Sequence, residues 1–110
     1  MDARFFRNAS GAEPVRQWLK GLSKTDRYQI GEDIRYVQTW FPHVGLPVWR
    51  SLKSGLFEVR SSLPGNRVAR VLVCFAEDRI VLLHAFIKKT QKTPAEDLAL
   101  ARGRMRAVKE

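Results

Sequence analysis

Apolar residues recur with a helical period in the first part of this chain and with a strand period in the rest. Val15, Trp18, Leu19 and Leu22 stand at i, i+3, i+4 and i+7, one face of a short helix with Pro14 in its first turn. Ile30, Ile34, Val37 and Phe41 mark the buried stripe of a second helix across "SKTDRYQIGEDIRYVQTWF". Ser23, with Asp26 three residues on, gives that helix an N-cap arrangement, and Pro42 closes it. Ahead of this hairpin, "DARFFRN" reads as a short strand broken by Ser10-Gly11. From Gly45 the sequence is rich in Val, Leu and Phe and is punctuated by Ser54-Gly55, Pro64-Gly65-Asn66 and Glu77-Asp78, a meander of antiparallel strands. The last two strands are apolar at nearly every position, so both faces of the sheet should be covered. Thr93, Pro94 and Glu96 form a T-x-x-E capping box that opens a final helix running toward Val108. The expected order is β-α-α-β-β-β-α: an α+β fold in a single domain over residues 1–110, with helices on both faces of one sheet.

The turn chemistry also sets a register. If the loop "PGN" is three residues long, Phe57 faces Val73 and Val59 faces Val71, an apolar set pointing one way. On the opposite side Arg60 then meets Arg70 directly, which destabilises a sheet unless an anion lies between them or each guanidinium finds another partner, Glu58 or Glu77 among them. A two-residue loop at Glu77-Asp78 would place Arg70 opposite Ala85, on one face with Ile87 and Lys89.

Charge changes the picture. Twenty Lys and Arg against eleven Asp and Glu give a net charge of +9 and a pI near 10.5. Such a field attracts polyanions, whether nucleic acid, an acidic protein or an anionic membrane surface. No apolar run is long enough to span a membrane and no signal peptide pattern opens the sequence, so the cytoplasm is the expected compartment. The single cysteine, Cys74, lies inside "RVLVCFA" and reads as a buried thiol. No metal-binding or phosphate-loop motif appears, and no cofactor is expected.

Arg60, Arg70 and Lys89, with Lys88, Lys92 and Lys53, are candidates to line one basic concavity; the lysines also fit a solvated loop. His84 stands in an otherwise apolar strand, as a packed and hydrogen-bonded residue or as a general base. His43 has no partner in the pattern. Phe86 fits the core or a stacking platform for a base, whereas the three tryptophans fit the core better.

"SLKSGLFEVRSS" and "RVLVCFAEDRIVLLHAFIKKTQKTPAEDLALA", with the preceding helical hairpin, resemble the HigB-like branch of the RelE/ParE toxin superfamily, the phage-derived Gp49-like proteins. The resemblance covers nearly the whole chain. It implies a RelE-like fold, a small antiparallel sheet with an N-terminal helical hairpin and a C-terminal helix. It also implies the toxin half of a type II toxin–antitoxin pair that cleaves mRNA, usually on a translating ribosome. A cognate antitoxin is the implied partner, with operator DNA bound only through the toxin–antitoxin complex. The matching residues are Arg60 of "FEVR", Arg70 of the following strand, Lys88-Lys89 and, beyond them, Lys92, which in such nucleases hold the scissile phosphate. The sequence departs from the pattern at Ala69, where a tyrosine is usual, and carries no tyrosine after Tyr36. His84 and a lysine of depressed pKa are left as candidates for the base. A ParE-like inhibitor of a protein target such as gyrase, or a non-catalytic nucleic-acid-binding module, are the competing functions.

Overall fold

The helical hairpin forms where its apolar stripes predict it. The computed structural model describes residues 1–43, 48–88 and 92–109. Helix α1 spans Pro14–Lys20 and α2 spans Lys24–Trp40, with the Ser23 hydroxyl accepting the Asp26 N–H at 3.1 Å as the predicted N-cap. Val15, Ile30, Ile34 and Val37 are buried. Strand β1 (Asp2–Phe5) precedes the hairpin; β3 (Phe57–Leu63), β4 (Arg67–Ala76), β5 (Arg79–Lys88) and helix α3 (Ala95–Lys109) follow it. One further strand, the short β2 (Trp49–Ser51), is added to the predicted order. It pairs with β3, and its Trp49 packs on Phe41 and Phe57.

The five strands form one sheet in the order β1-β5-β4-β3-β2, antiparallel except for the parallel β1–β5 pair. Alternate strand residues face opposite ways, and each set meets its own helices. Val59, Val71, Val73, Ile80 and Leu82 pack with Val15 and Ile30 of the hairpin, while Leu72, Cys74, Val81 and Leu83 pack with Ala101 and Met105 of α3. Both faces are covered, as the unbroken apolar runs of β4 and β5 predict.

The β3–β4 register is as the turn predicts: Phe57 faces Val73, Val59 faces Val71 and Arg60 faces Arg70. The β4–β5 register departs from prediction. The turn at Glu77 and Asp78, both at positive φ, sets the pairing as far as Val73–Leu82, but a bulge at Leu83 then places Leu72 opposite His84. Arg70 therefore faces Phe86, not Ala85, and Ile87 pairs with Ala69 and packs on the hairpin side. One extra residue has turned His84, Phe86 and Lys88 onto the face that carries Arg70.

Arg67 ties the start of β4 to α2 through a two-pronged pair with Asp26, Nη1–Oδ2 at 2.7 Å and Nη2–Oδ1 at 3.0 Å. The hydrogen bond from Arg67 outweighs burial and holds the Asp26 carboxyl below its ordinary 3.8. A carboxyl depressed in the folded state stabilises the fold above its unfolded pKa, and that contribution fades as pH falls through the folded value. Asp26→Asn should therefore melt at lower temperature than wild type at neutral pH, with the two curves converging in acid. A difference that persisted unchanged to low pH would mean that the ionised pair contributes nothing.

Candidate functional site

The anion expected between Arg60 and Arg70 is supplied by the chain itself. Glu58 and Arg60 lie two residues apart on β3 and so share a face, turned toward α3. Glu58 Oε1 lies 2.7 Å from Arg70 Nη1, 3.3 Å from Arg50 Nε and 3.8 Å from Arg60 Nε, and its Oε2 accepts the Thr93 hydroxyl at 2.6 Å. Thr93 thus anchors the approach to α3 to the sheet in place of the predicted capping box; the helix begins at Ala95. One carboxylate among three guanidinium groups leaves an excess of two positive charges. Glu58 and Arg70 are buried at 0% and 1% side-chain exposure, whereas Arg50 and Arg60 keep 32% and 27%, so the excess emerges through these two. Arg60 and Ser62 also line a groove of about 290 Å³ at the outer edge of β3, with Gln29 and Asp33 of α2.

On the same sheet face, His84 is separated from Glu58 by Leu72 alone, two strand spacings or roughly 10 Å. Its Nε2 lies 2.7 Å from Oδ1 of Asp97, in the first turn of α3, and Lys88 Nζ lies 3.3 Å from Oδ2 of the same carboxylate. Burial raises the Asp97 pKa, but the hydrogen bonds from His84 and Lys88 outweigh it and hold the carboxyl below its ordinary 3.8. An ionised carboxylate only accepts, so Nε2 donates and the neutral ring's lone pair stands on Nδ1. Nδ1 has no hydrogen-bond partner among the described residues. The arrangement gives an imidazole of fixed tautomer, carrying a basic nitrogen beside cations.

The structure brings Arg60, Arg70, His84, Phe86 and Lys88 onto one face. Phe86 is 8% exposed, within the α3-side core, with the His84 ring 5.6 Å away and Lys88 Nζ 5.7 Å from its centroid. Lys92 is exposed just ahead of α3. Lys53 is not brought into the group: it lies in the turn before β3, where its carbonyl accepts from Arg102. The Lys89 expectation lies outside the described residues. Sequence reasoning missed Arg50, which reaches Glu58 only through the added strand, and Asp97, whose place in "TPAED" reads as an ordinary acidic first helical turn.

The fold and this basic face define a small α+β protein built on an arginine cluster that one buried carboxylate, Glu58, only partly neutralises. A family model described as "Phage derived protein Gp49-like (DUF891)" matches residues 17–106. The chain belongs to that family, whose members are RelE/HigB-like toxins of toxin–antitoxin pairs, so an antitoxin is its partner in kind. No curated protein sequence matches the chain.

Proposed function

We propose that this protein is a HigB-like mRNA endonuclease, the toxin of a type II toxin–antitoxin pair, acting in the cytoplasm on mRNA at the ribosome. The observation that carries the reading is the His84–Asp97 contact of 2.7 Å, with Lys88 on the second carboxylate oxygen. His84 takes the proton of a ribose 2′-hydroxyl through Nδ1, and the 2′-oxygen forms a bond to phosphorus. The P–O5′ bond breaks and the 5′-oxygen leaves with a proton from water, giving a 2′,3′-cyclic phosphate and a 5′-hydroxyl. The nucleophile belongs to the RNA, so the enzyme's part is to orient the strand and stabilise charge as it develops on the phosphoryl oxygens. Lys88, on the Asp97 carboxylate beside His84, serves that role, while Arg60 and Arg50, on β3 and β2 across the sheet, hold phosphates further along the strand, and Lys89 and Lys92 are further candidates for such contacts. Arg70 acts through Glu58, as a positioning residue. Operator DNA is bound only through the antitoxin complex.

The engagement of Arg70 by Glu58 favours a second reading, in which the cluster is structural and the toxin blocks a protein target such as gyrase. Controlled expression of wild type and His84→Ala, with 5′-end mapping of cellular mRNA, separates the two. New 5′-hydroxyl ends with wild type alone are the expected result; growth arrest with intact mRNA would move the function to a protein target.

A further inference from the structure

Strand β5 has an outer neighbour over part of its length only, because β1 covers Arg79 to Leu82 and stops there. The bulge at Leu83 falls at the start of the uncovered edge. Beside it lies a groove of about 180 Å³ walled by Pro14, Val15 and Trp18 of α1, His84 and Ala85 of β5, and Arg104 of α3. This volume is below the range of roughly 300–1,000 Å³ that takes a whole small-molecule ligand. It suits a single charged group on a longer molecule.

Two walls carry chemistry. Arg104 Nη1 donates to the Leu83 carbonyl at 2.8 Å and its guanidinium stands 5.5 Å from the Phe6 ring centroid, contacts that hold it in place and leave the other N–H donors over. No carboxylate pairs with Arg104 among the described residues, and burial pushes its pKa down. A partly desolvated guanidinium without an acid is a cost to the fold that an incoming anion offsets. The second wall is His84. Its Nε2 is engaged by Asp97, which is not part of the groove, so the nitrogen it has left for a ligand is Nδ1.

We propose that this groove is a phosphodiester subsite, in which Arg104 binds one backbone phosphate of an RNA strand and thereby presents a neighbouring ribose to Nδ1 of His84. The proposal rests on the RNA-cleaving reading above and adds Arg104 to it as a binding residue. The bulge gains a role: it aims His84 at the groove and supplies the carbonyl that fixes Arg104 beside it.

The test uses the two histidines, His43 and His84, as reporters in ¹H–¹⁵N spectra of ¹⁵N-imidazole-labelled protein. The probes are inorganic phosphate and an RNA dinucleotide with a 2′-deoxy first sugar, which cannot be cut. Saturable shifts at His84 with His43 unmoved are expected, tighter for the dinucleotide. Arg104→Met should weaken binding by at least about tenfold, and Arg104→Lys, which keeps charge and bulk but not the planar fork, by less. Melting curves check that the variants fold, and if Arg104→Met does not, the Arg104→Lys comparison decides. An unmoved His84, or equal binding by wild type and the folded variant, overturns the subsite. Shifts at His84 in a protein that leaves mRNA intact would support the subsite while removing the endonuclease reading. Cut mRNA without shifts would remove the subsite alone.

Discussion

Arg70→Ala is expected to lose about 3–5 kcal/mol of folding stability, the cost of leaving a buried charge without its main partner. The Arg70 side chain is 1% exposed and meets a carboxylate that is 0% exposed, 2.7 Å away. Arg50 and Arg60 would still stand near Glu58, at 3.3 and 3.8 Å, and the Thr93 hydroxyl at 2.6 Å, which puts the loss toward the lower figure. Against a total of roughly 5–15 kcal/mol for a domain of ordinary stability, that is enough to populate the unfolded chain appreciably. Urea denaturation followed by tryptophan fluorescence measures it, with Glu58→Gln as companion. A loss under about 1 kcal/mol would put the pair in the class of exposed ion pairs and remove the case for a structural keystone. The expected result has a consequence for function. Loss of toxicity in Arg70→Ala would report the fold before it reported the chemistry, so Arg60 and His84 are the residues on which to test catalysis.

What the sequence revealed and what it hid follow from the range of the signals involved. The helical stripes, the Ser23 cap and the "PGN" turn are local, and each placed its residues correctly, down to Arg60 facing Arg70. The partner of that arginine pair was visible two residues away as Glu58, but choosing it over an external anion requires its burial, which is a tertiary property. The bulge left no signal. Bulges are readable when glycine or proline marks them, and Leu82-Leu83-His84 is continuous with its apolar surroundings. Missing that one residue turned the expected face of β5 over, setting Ala85 and Ile87 where His84, Phe86 and Lys88 stand. Thr93 failed for a different reason: its spacing to Glu96 satisfies a capping box, but its side chain is turned to the sheet, where the hydroxyl donates to the buried Glu58 carboxylate, and the helix begins at Ala95.

His84→Ala should lower the single-turnover rate of cleavage of ribosome-bound mRNA by about 10²–10⁴-fold, the usual contribution of a positioned general base. Its melting temperature should fall as well, since the ring is largely buried at 16% exposure and its loss leaves Asp97 with Lys88 alone, so the rates are compared at a temperature where both proteins are folded. Asp97→Asn should lose nearly as much activity. The Asn amide can turn its NH₂ toward Nε2, which moves the ring proton to Nδ1 and removes the lone pair that the 2′-hydroxyl needs. Asp97→Glu, which keeps a carboxylate on a longer stem, should recover part of the loss. A role confined to packing would move the melting temperature of Asp97→Asn and leave the pH dependence of the rate alone. The tautomer argument requires the reverse: a preserved fold, with a weakened or displaced acid limb in the rate profile. Cleavage by His84→Ala within about threefold of wild type would exclude the imidazole as base and return the role to a lysine.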